Sequence, residues 1–351
     1  MRGLGRRLWG ALPLWARVLS LLVIPSLLGL MMWGGYTLYW GNVFPPKSPH
    51  YLYLPTGSTY QTVRARLLQS GLVADTASFH WVARQMGYPS RVKPGRYRLT
   101  RRMSNRALIT MLRAGNQAPV PLRFESYRTP QELAEKLASQ LEMPADSFLA
   151  ALRHTTLLEE LGVTQKTVIA LFLPNTYEFY WTARPHEVLR RMHSAYQAFW
   201  TPLRRQQAEA LNLTPLQVST LASIVQAETY RTDERPRVAG VYLNRLRLDM
   251  LLQADPTVIY AVGDFTIRRV LNKHLETDSP YNTYKYAGLP PGPINNPTQV
   301  SIDAVLKPER HDYLYFAAKT DGSGYHWFSK TYREHVKRAR DYQQQQNRSG
   351  R

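Results

Sequence analysis

Glu228 closes the run Leu221-Ala222-Ser223-Ile224-Val225-Gln226-Ala227-Glu228-Thr229, and its setting is that of a group that moves protons. Thr214, Pro215 and Gln217 read as the N-cap, the first helical residue and the capping-box partner of a helix. From there Val218, Leu221, Ala222 and Val225 recur at helical spacing, which predicts one apolar face. Three turns on from Val218 the chain reaches Glu228, so the carboxylate falls on the face that must be buried. It also falls near the helix C-terminus, where the macrodipole disfavours negative charge. Both effects raise a carboxyl pKa, and a carboxyl still protonated near neutral pH is what a general acid requires. The plain alternative is a glutamate that has left the helix end and points at water.

The residues downstream bear on that choice. Asp233-Glu234-Arg235-Pro236 reads as a helix start, and Val238 to Leu248 continue it with Asn244 and Arg245 inside. Three further segments follow: Leu252-Gln253-Ala254-Asp255-Pro256-Thr257-Val258-Ile259-Tyr260, Ser279-Pro280-Tyr281-Asn282-Thr283-Tyr284, and Gly288-Leu289-Pro290-Pro291-Gly292-Pro293-Ile294-Asn295-Asn296-Pro297. Stiff, proline-rich loops carrying amides, hydroxyls and tyrosines suit a carbohydrate groove. Amides and hydroxyls bond sugar hydroxyls, and aromatic faces stack on sugar C–H faces.

Taken together, Leu221–Thr229, Asn244-Arg245-Leu246, Leu252–Tyr260, Tyr281–Tyr284 and Gly288–Pro297 resemble, in order and spacing, the endolytic murein transglycosylase family (MltG or YceG-like). Tyr51–Leu112 likewise resembles that family's membrane-proximal, LysM-like module. The resemblance implies an enzyme of the inner membrane, facing outward, that cuts nascent peptidoglycan between N-acetylmuramic acid and N-acetylglucosamine. The product is a 1,6-anhydromuramoyl end, formed without water, and strand elongation ends there. It implies that Glu228 acts first as acid and then as base. Ordinary glycosidases need a second carboxylate; here the nucleophile is the sugar's own C6 hydroxyl, already tethered to the substrate. Many family members carry an acid two places before the catalytic glutamate. This chain has Gln226 there, which leaves Glu228 as the one acid of the motif.

Around a cleft with Glu228 we place Gln253, Asp255, Asn244, Tyr281, Asn282, Thr283 and Tyr284 as substrate-binding candidates. Asp255, before Pro256, either stabilises positive charge at the anomeric centre or caps a turn. Tyr281 and Tyr284 stack on sugar, orient Glu228, or pack in a core. Asn282 suits a loop brace better than a ligand contact, and Pro290, Pro291 and Pro293 are scaffold. Two other readings stay open: an anchored, non-catalytic scaffold that binds glycan, and a hydrolase in which Asp255 or Glu276 positions water.

The elements that must present these residues span a chain of 351 residues, enough for two modest domains, with a net charge of +20 and no cysteine. Disulfides and thiolate metal sites are thereby excluded. Residues 18–40 form an uncharged apolar run, preceded by Arg2, Arg6, Arg7 and Arg17 and ending in Trp33, Tyr36, Tyr39 and Trp40. That predicts a transmembrane helix with residues 1–17 in the cytoplasm. A cleaved signal peptide is the alternative, but the run is long for one and no small-x-small cleavage site follows. Residues 41–118 form the membrane-proximal module, in the order strand, helix, helix, strand, helix. Between Tyr51 and Ala118 eleven basic residues face one acid, Asp75. Such a surface attracts lipid headgroups or an acidic wall polymer, or is simply solvated. Residues 119–342 form the larger catalytic domain, opened by a strand over 121–125 and a capping box at Thr129 and Glu132 before a helix with Leu133, Leu137 and Leu141. Residues 343–351 are a polar tail. The fold class expected is α+β in both units.

Other chemistries find little support. His186-Glu187 starts like a zinc-protease motif, but the position that needs histidine holds Arg190. No Gly-x-Ser-x-Gly occurs, Ser223 lies inside an apolar helix, and no phosphate loop is present. No cofactor or metal is expected. The partners expected are glycan strands and the inner membrane, with wall synthases and division proteins implied by the resemblance alone. Nucleic acid is excluded by the compartment and by the lack of a recognised motif.

Overall fold

The structure is a computed structural model, and it describes residues 13–47, 49–319, 321–338 and 340. The basic segment before residue 13 and the tail over 343–351 lie outside the described residues. The described part is a mixed α+β protein that divides into two compact units, one of the described residues up to 120 with 180–182 and one of 121–179 with the described residues from 183 onward.

The first unit runs α1 (Leu14–Tyr39), β1 (Gly41–Val43), β2 (His50–Leu54), α2 (Tyr60–Gln69), α3 (Thr76–Gln85), β3 (Gly95–Leu99), β4 (Met103–Ser104) and α4 (Asn105–Ala114). Its helices start where side chains satisfy the free N–H groups of the first turn: Thr59 bonds Thr62, Asp75 bonds Ala77 and Ser78, and Ser104 bonds Ala107. α4 stops where Gly115 turns left-handed, at φ 78°. β2 and β3 pair antiparallel, with Leu52 opposite Tyr97. Beneath them Leu54, Val63, Phe79, Val82, Leu99, Leu108 and Ile109 form a core with almost no exposed surface. α1 is the one described helix long and apolar enough to cross a membrane, with 26 residues and a mean hydropathy of 1.9 over its most apolar window. Its last turn is tied to this unit. Asn105 donates to the Thr37 carbonyl at 3.0 Å and to Ser78 Oγ at 3.0 Å, and Trp33 meets Trp81 edge-on.

The second unit runs β5 (Val120–Arg123), α5 (Pro130–Ala138), α6 (Ala145–Ala151), α7 (Thr155–Glu160), β6 (Thr176–Phe179), α8 (Pro185–Phe199), α9 (Pro202–Ala210), α10 (Pro215–Glu228), α11 (Arg235–Arg247), α12 (Asp255–Val262), α13 (Asn272–Leu275), α14 (Gln299–Leu306), β7 (Tyr315–Ala318) and β8 (His326–Ser329). β5 pairs with β6, and β7 with β8. The capping box at α5 is only half as expected. Thr129 Oγ1 does accept the Glu132 N–H, but Glu132 reaches back to the Arg128 N–H. Leu141 is buried beyond the end of that helix rather than on it.

α10 differs from the expected amphipathic helix. Every residue from Val218 to Val225 is buried, including Ser219, Thr220 and Ser223. It packs against both α11 and α14, so it has no solvent face along that stretch. The hydroxyls survive burial because each returns a hydrogen bond to a carbonyl three or four residues back. The proline-rich loop locks onto this helix: Ser223 Oγ accepts the Ile294 N–H, and Asn295 donates to the Ser223 carbonyl. Two close approaches demand glycine. A Cβ on Gly292 would lie 2.0 Å from the Lys166 carbonyl oxygen, and one on Gly240 in α11 2.6 Å from that of Glu309.

Candidate active site

Glu228 is the last residue of α10, and it is half-buried, facing a cavity. Its Oε1 accepts a hydrogen bond from Tyr242 on α11 at 2.6 Å. It lines a cavity of about 390 Å³ with Gln253, Asp255, Tyr284, Arg245, Tyr315 and His326. Burial of the carboxyl pushes its pKa up to about 7. The Tyr242 hydrogen bond opposes that rise, the nearby Asp255 adds to it, and His326 and Arg245 oppose it. Desolvation is the largest of these effects, and neither His326 nor Arg245 is hydrogen-bonded to the carboxyl.

Arg245 shows why. Its guanidinium donates to the carbonyls of Leu314 at 2.6 Å, Leu252 at 2.8 Å and Leu251 at 3.2 Å. It therefore spends its donors clamping the turn before α12 to the strand β7, and it lies 5.0 Å from the Tyr315 ring centroid. The clamped turn is strained: Gln253 has φ 47°, a left-handed value for a side-chain-bearing residue. Its N–H donates to the Thr283 carbonyl at 3.0 Å. Asp255 begins α12, and Tyr284 donates to its Oδ1 at 2.6 Å.

A second pair reaches the cavity through His326. Glu234, 3 % exposed at its side chain, accepts from His326 Nδ1 at 2.6 Å and from the His326 backbone N–H at 2.8 Å. Thr229, the residue after Glu228, donates to the same carboxylate at 3.3 Å. Burial pushes Glu234 up, but these hydrogen bonds outweigh it and hold the carboxyl below its usual range. The bond to a carboxylate puts hydrogen on His326 Nδ1.

The residues expected around the cleft separate into two groups. Gln253, Asp255 and Tyr284 share the cavity with Glu228. Thr283, Asn282, Asn244 and Tyr281 do not line it. Thr283 Oγ1 accepts the Ala254 N–H at 3.0 Å, and Asn282 donates to the carbonyls of Leu275 and Thr277, so these two hold the loop that carries Tyr284. Asn244 donates to the carbonyls of His311 and Tyr313, which anchors the segment leading into β7. Tyr281 packs on Tyr260, with ring centroids 4.7 Å apart. Glu276 is absent from the cavity lining as well. Gln226 makes a hub: it donates to Ser126 and Asn295 and accepts from Thr298 and Ser301. Among the described residues no group of three or more histidines and acids is placed to hold a metal ion.

Sequence reasoning overlooked Tyr242, His326 and Glu234 as members of this site. Tyr242 was within reach of a sequence argument. It stands three residues before Arg245 on the same helix, where an apolar position carries a hydroxyl. His326 lies almost a hundred residues from Glu228, and no local pattern marks it.

An α+β protein with one raised carboxyl group in an aromatic-lined cleft is fitted to acid–base chemistry on a polar substrate. The chain belongs to the YceG-like family, whose sequence model matches residues 52–341. It is similar to the endolytic murein transglycosylase of Bacillus subtilis strain 168, with 29% identity over 334 residues, covering 88% of this chain and 90% of that protein. It is similar also to the endolytic murein transglycosylase of Streptococcus pneumoniae D39, at 29% identity over 347 residues, 89% of this chain and 62% of that longer protein. Among solved structures, a yceG-like protein of Listeria monocytogenes matches 83% of this chain and 99% of its own, with a TM-score of 0.55 and 29% identity.

Proposed function

We propose that this protein is a lytic transglycosylase that cuts peptidoglycan strands internally at the bond from N-acetylmuramic acid to N-acetylglucosamine, with Glu228 as its one acid–base group. The observation that carries this reading is the Glu228 carboxyl, raised to about 7 and bonded to Tyr242 through Oε1. Because the Tyr242 hydroxyl donates to Oε1, the carboxyl proton resides on Oε2. That proton passes to the glycosidic oxygen as the bond to the muramic acid C1 breaks. N-acetylglucosamine departs as an alcohol, and positive charge grows at C1. The muramic acid C6 oxygen then bonds to C1 while its proton passes to Glu228, which restores the acid. No water is consumed. Asp255, held by Tyr284 in the same cavity, suits the stabilisation of the cationic centre.

The wider assignment follows from the same reading. α1 would be roughly 39 Å long at 1.5 Å per residue, more than the ~30 Å of a hydrocarbon core. With Arg2, Arg6 and Arg7 before it and Arg17 in its first turn, it anchors the chain in the inner membrane with the remainder outside the cytoplasm. Residues 41–118 form a LysM-like module, in keeping with the order β2, α2, α3, β3, and residues 119–342 the catalytic domain. Release of anhydro ends from nascent strands would terminate elongation, next to the synthases and division proteins that build them.

Purified full-length protein in detergent, incubated with uncross-linked glycan, tests the reading. Anhydromuramoyl ends by mass spectrometry are expected, and Glu228→Gln is expected to lower their yield at least about a hundredfold. Reducing ends would make the protein a hydrolase, and no cleavage would make it a glycan-binding scaffold.

A further inference from the structure

A second cavity, of about 440 Å³, lies on the other side of the end of α10. The two cavities share a wall. Gln226, Ala227 and Pro256 line this one, while their neighbours Glu228 and Asp255 line the first. Its charge differs from that of the first, where Glu228 and Asp255 stand with Arg245. It holds two arginines, Arg128 and Arg235, and no acidic residue. Its wall is apolar, from Ile259, Phe265, Ile267 and Ile294. Tyr230, two residues beyond Glu228, stands at the cavity 98% exposed.

Neither arginine is neutralised. Arg235 is only 8% exposed, yet its acceptors are all uncharged: the Thr229 carbonyl, Thr298 Oγ1 and Ser301 Oγ. The exposed Arg128 guanidinium lies 5.4 Å from the Phe265 ring centroid. No ion pair among the described residues includes either one. A buried cation without a counter-ion is costly, and desolvation accordingly pulls the Arg235 pKa down. An anion with an apolar body would relieve that cost and cover the wall.

We propose that this cavity binds the carboxylate-bearing peptide carried on the lactyl group of a muramic acid residue, so that the enzyme recognises peptide-substituted glycan next to the bond it cuts. This rests on the function proposed above. A lipid-linked diphosphate has the same charge but occurs only at one end of a strand. An internal cleavage point always lies within a sugar or two of a muramoyl peptide. The methyl and methylene groups of such a peptide also match the aliphatic wall.

The test uses full-length Glu228→Gln in detergent, which prevents turnover, and measures binding of an N-acetylmuramoyl peptide and of peptide-free N-acetylmuramic acid by calorimetry. The peptide form is expected to bind about tenfold tighter, and adding the Arg128→Ala change to remove most of that advantage, the size expected for one charge-assisted hydrogen bond. Arg128 is exposed, so its loss does not threaten the fold, and Arg128→Lys is expected to keep part of the preference. In parallel, the protein with Glu228 intact is given strands with peptides and strands stripped of them, and the ratio of their cleavage rates is expected to fall with Arg128→Ala. Equal binding of the two ligands, no change on Arg128→Ala, or displacement by inorganic pyrophosphate but not by the muramoyl peptide would each overturn the proposal. Peptide-dependent binding without any anhydro product would leave this site standing and remove the proposed chemistry. Anhydro product with no peptide preference would do the reverse.

Discussion

The two cavities that meet at the end of α10 differ in charge. One holds Glu228 and Asp255 and keeps its nearby arginine, Arg245, occupied with backbone carbonyls. The other holds Arg128 and Arg235 and no acid at all. The difference has a physical reason. A guanidinium paired with Glu228 would favour the ionised carboxylate and erase the raised pKa that acid catalysis needs. Cations that would attract an anionic substituent must therefore stand beyond the wall formed by Ala227 and Pro256. The same short stretch of chain can then serve a neutral acid on one side and an anion on the other.

The largest effect that would sharpen this contrast is on chemistry. Glu228→Gln is expected to lower the rate of anhydro-product formation by about 10²–10⁴, the range of general acid–base catalysis. Arg128→Ala is expected to act on substrate preference alone. Equal losses in both variants, measured on the same glycan, would break the distinction between the cavities.

Next in size comes Arg245→Met. It keeps the bulk of the side chain but strands the carbonyls of Leu314, Leu251 and Leu252, at a cost of about 2–3 kcal/mol in urea unfolding. An unchanged midpoint would mean that the clamp contributes nothing.

The raised carboxyl also predicts how stability depends on pH. In the folded state Glu228 keeps its proton up to about pH 7, whereas its ordinary value is 4.5. Between those values the folded state binds more protons than the unfolded one, so stability falls as pH rises through that window. Glu228→Gln removes this penalty. It should stabilise the protein by up to about 3 kcal/mol at pH 8 and by little at pH 4.5, read from melting curves at both. Activity of the unaltered enzyme should decline as pH rises through about 7.

The smallest expected effect is that of Tyr242→Phe. The lost hydrogen bond had lowered the Glu228 pKa. The alkaline limb of the rate profile should therefore move to higher pH, while kcat falls about tenfold as the carboxyl loses its orientation. A downward move of that limb would contradict the assigned role of Tyr242.

Much of the architecture is legible along the chain because its signals are local. Thr59, Asp75, Ser104, Thr214 and Gly115 each mark a helix boundary by satisfying or redirecting backbone within four residues. The apolar run of α1 and the placement of Glu228 at the last turn of α10 rest on periodicity of the same range. Where expectation and structure part, a distant partner decides. Helical spacing cannot tell that the second face of α10 is covered by α14, or that Ser223 is bonded to a loop at Ile294 and Asn295. Asn244, Asn282 and Thr283 have the chemistry of sugar ligands, yet their donors and acceptors are taken by backbone groups and by the Arg247 and Thr257 side chains. Amides and hydroxyls serve equally well as braces, and composition does not distinguish the two uses.

By itself, then, the sequence determined an acid at a helix end, an apolar N-terminal helix, two α+β units and the segments that resemble a murein transglycosylase. Tertiary structure alone decided what surrounds that acid. Tyr242 reaches Glu228 from the next helix, His326 and Glu234 pair nearby across 92 residues, and Arg128 and Arg235 line the cavity on the other side of the wall. The reason is that a pKa and a cavity's charge are set by groups within a few ångströms in space, and those groups need not be near in the chain.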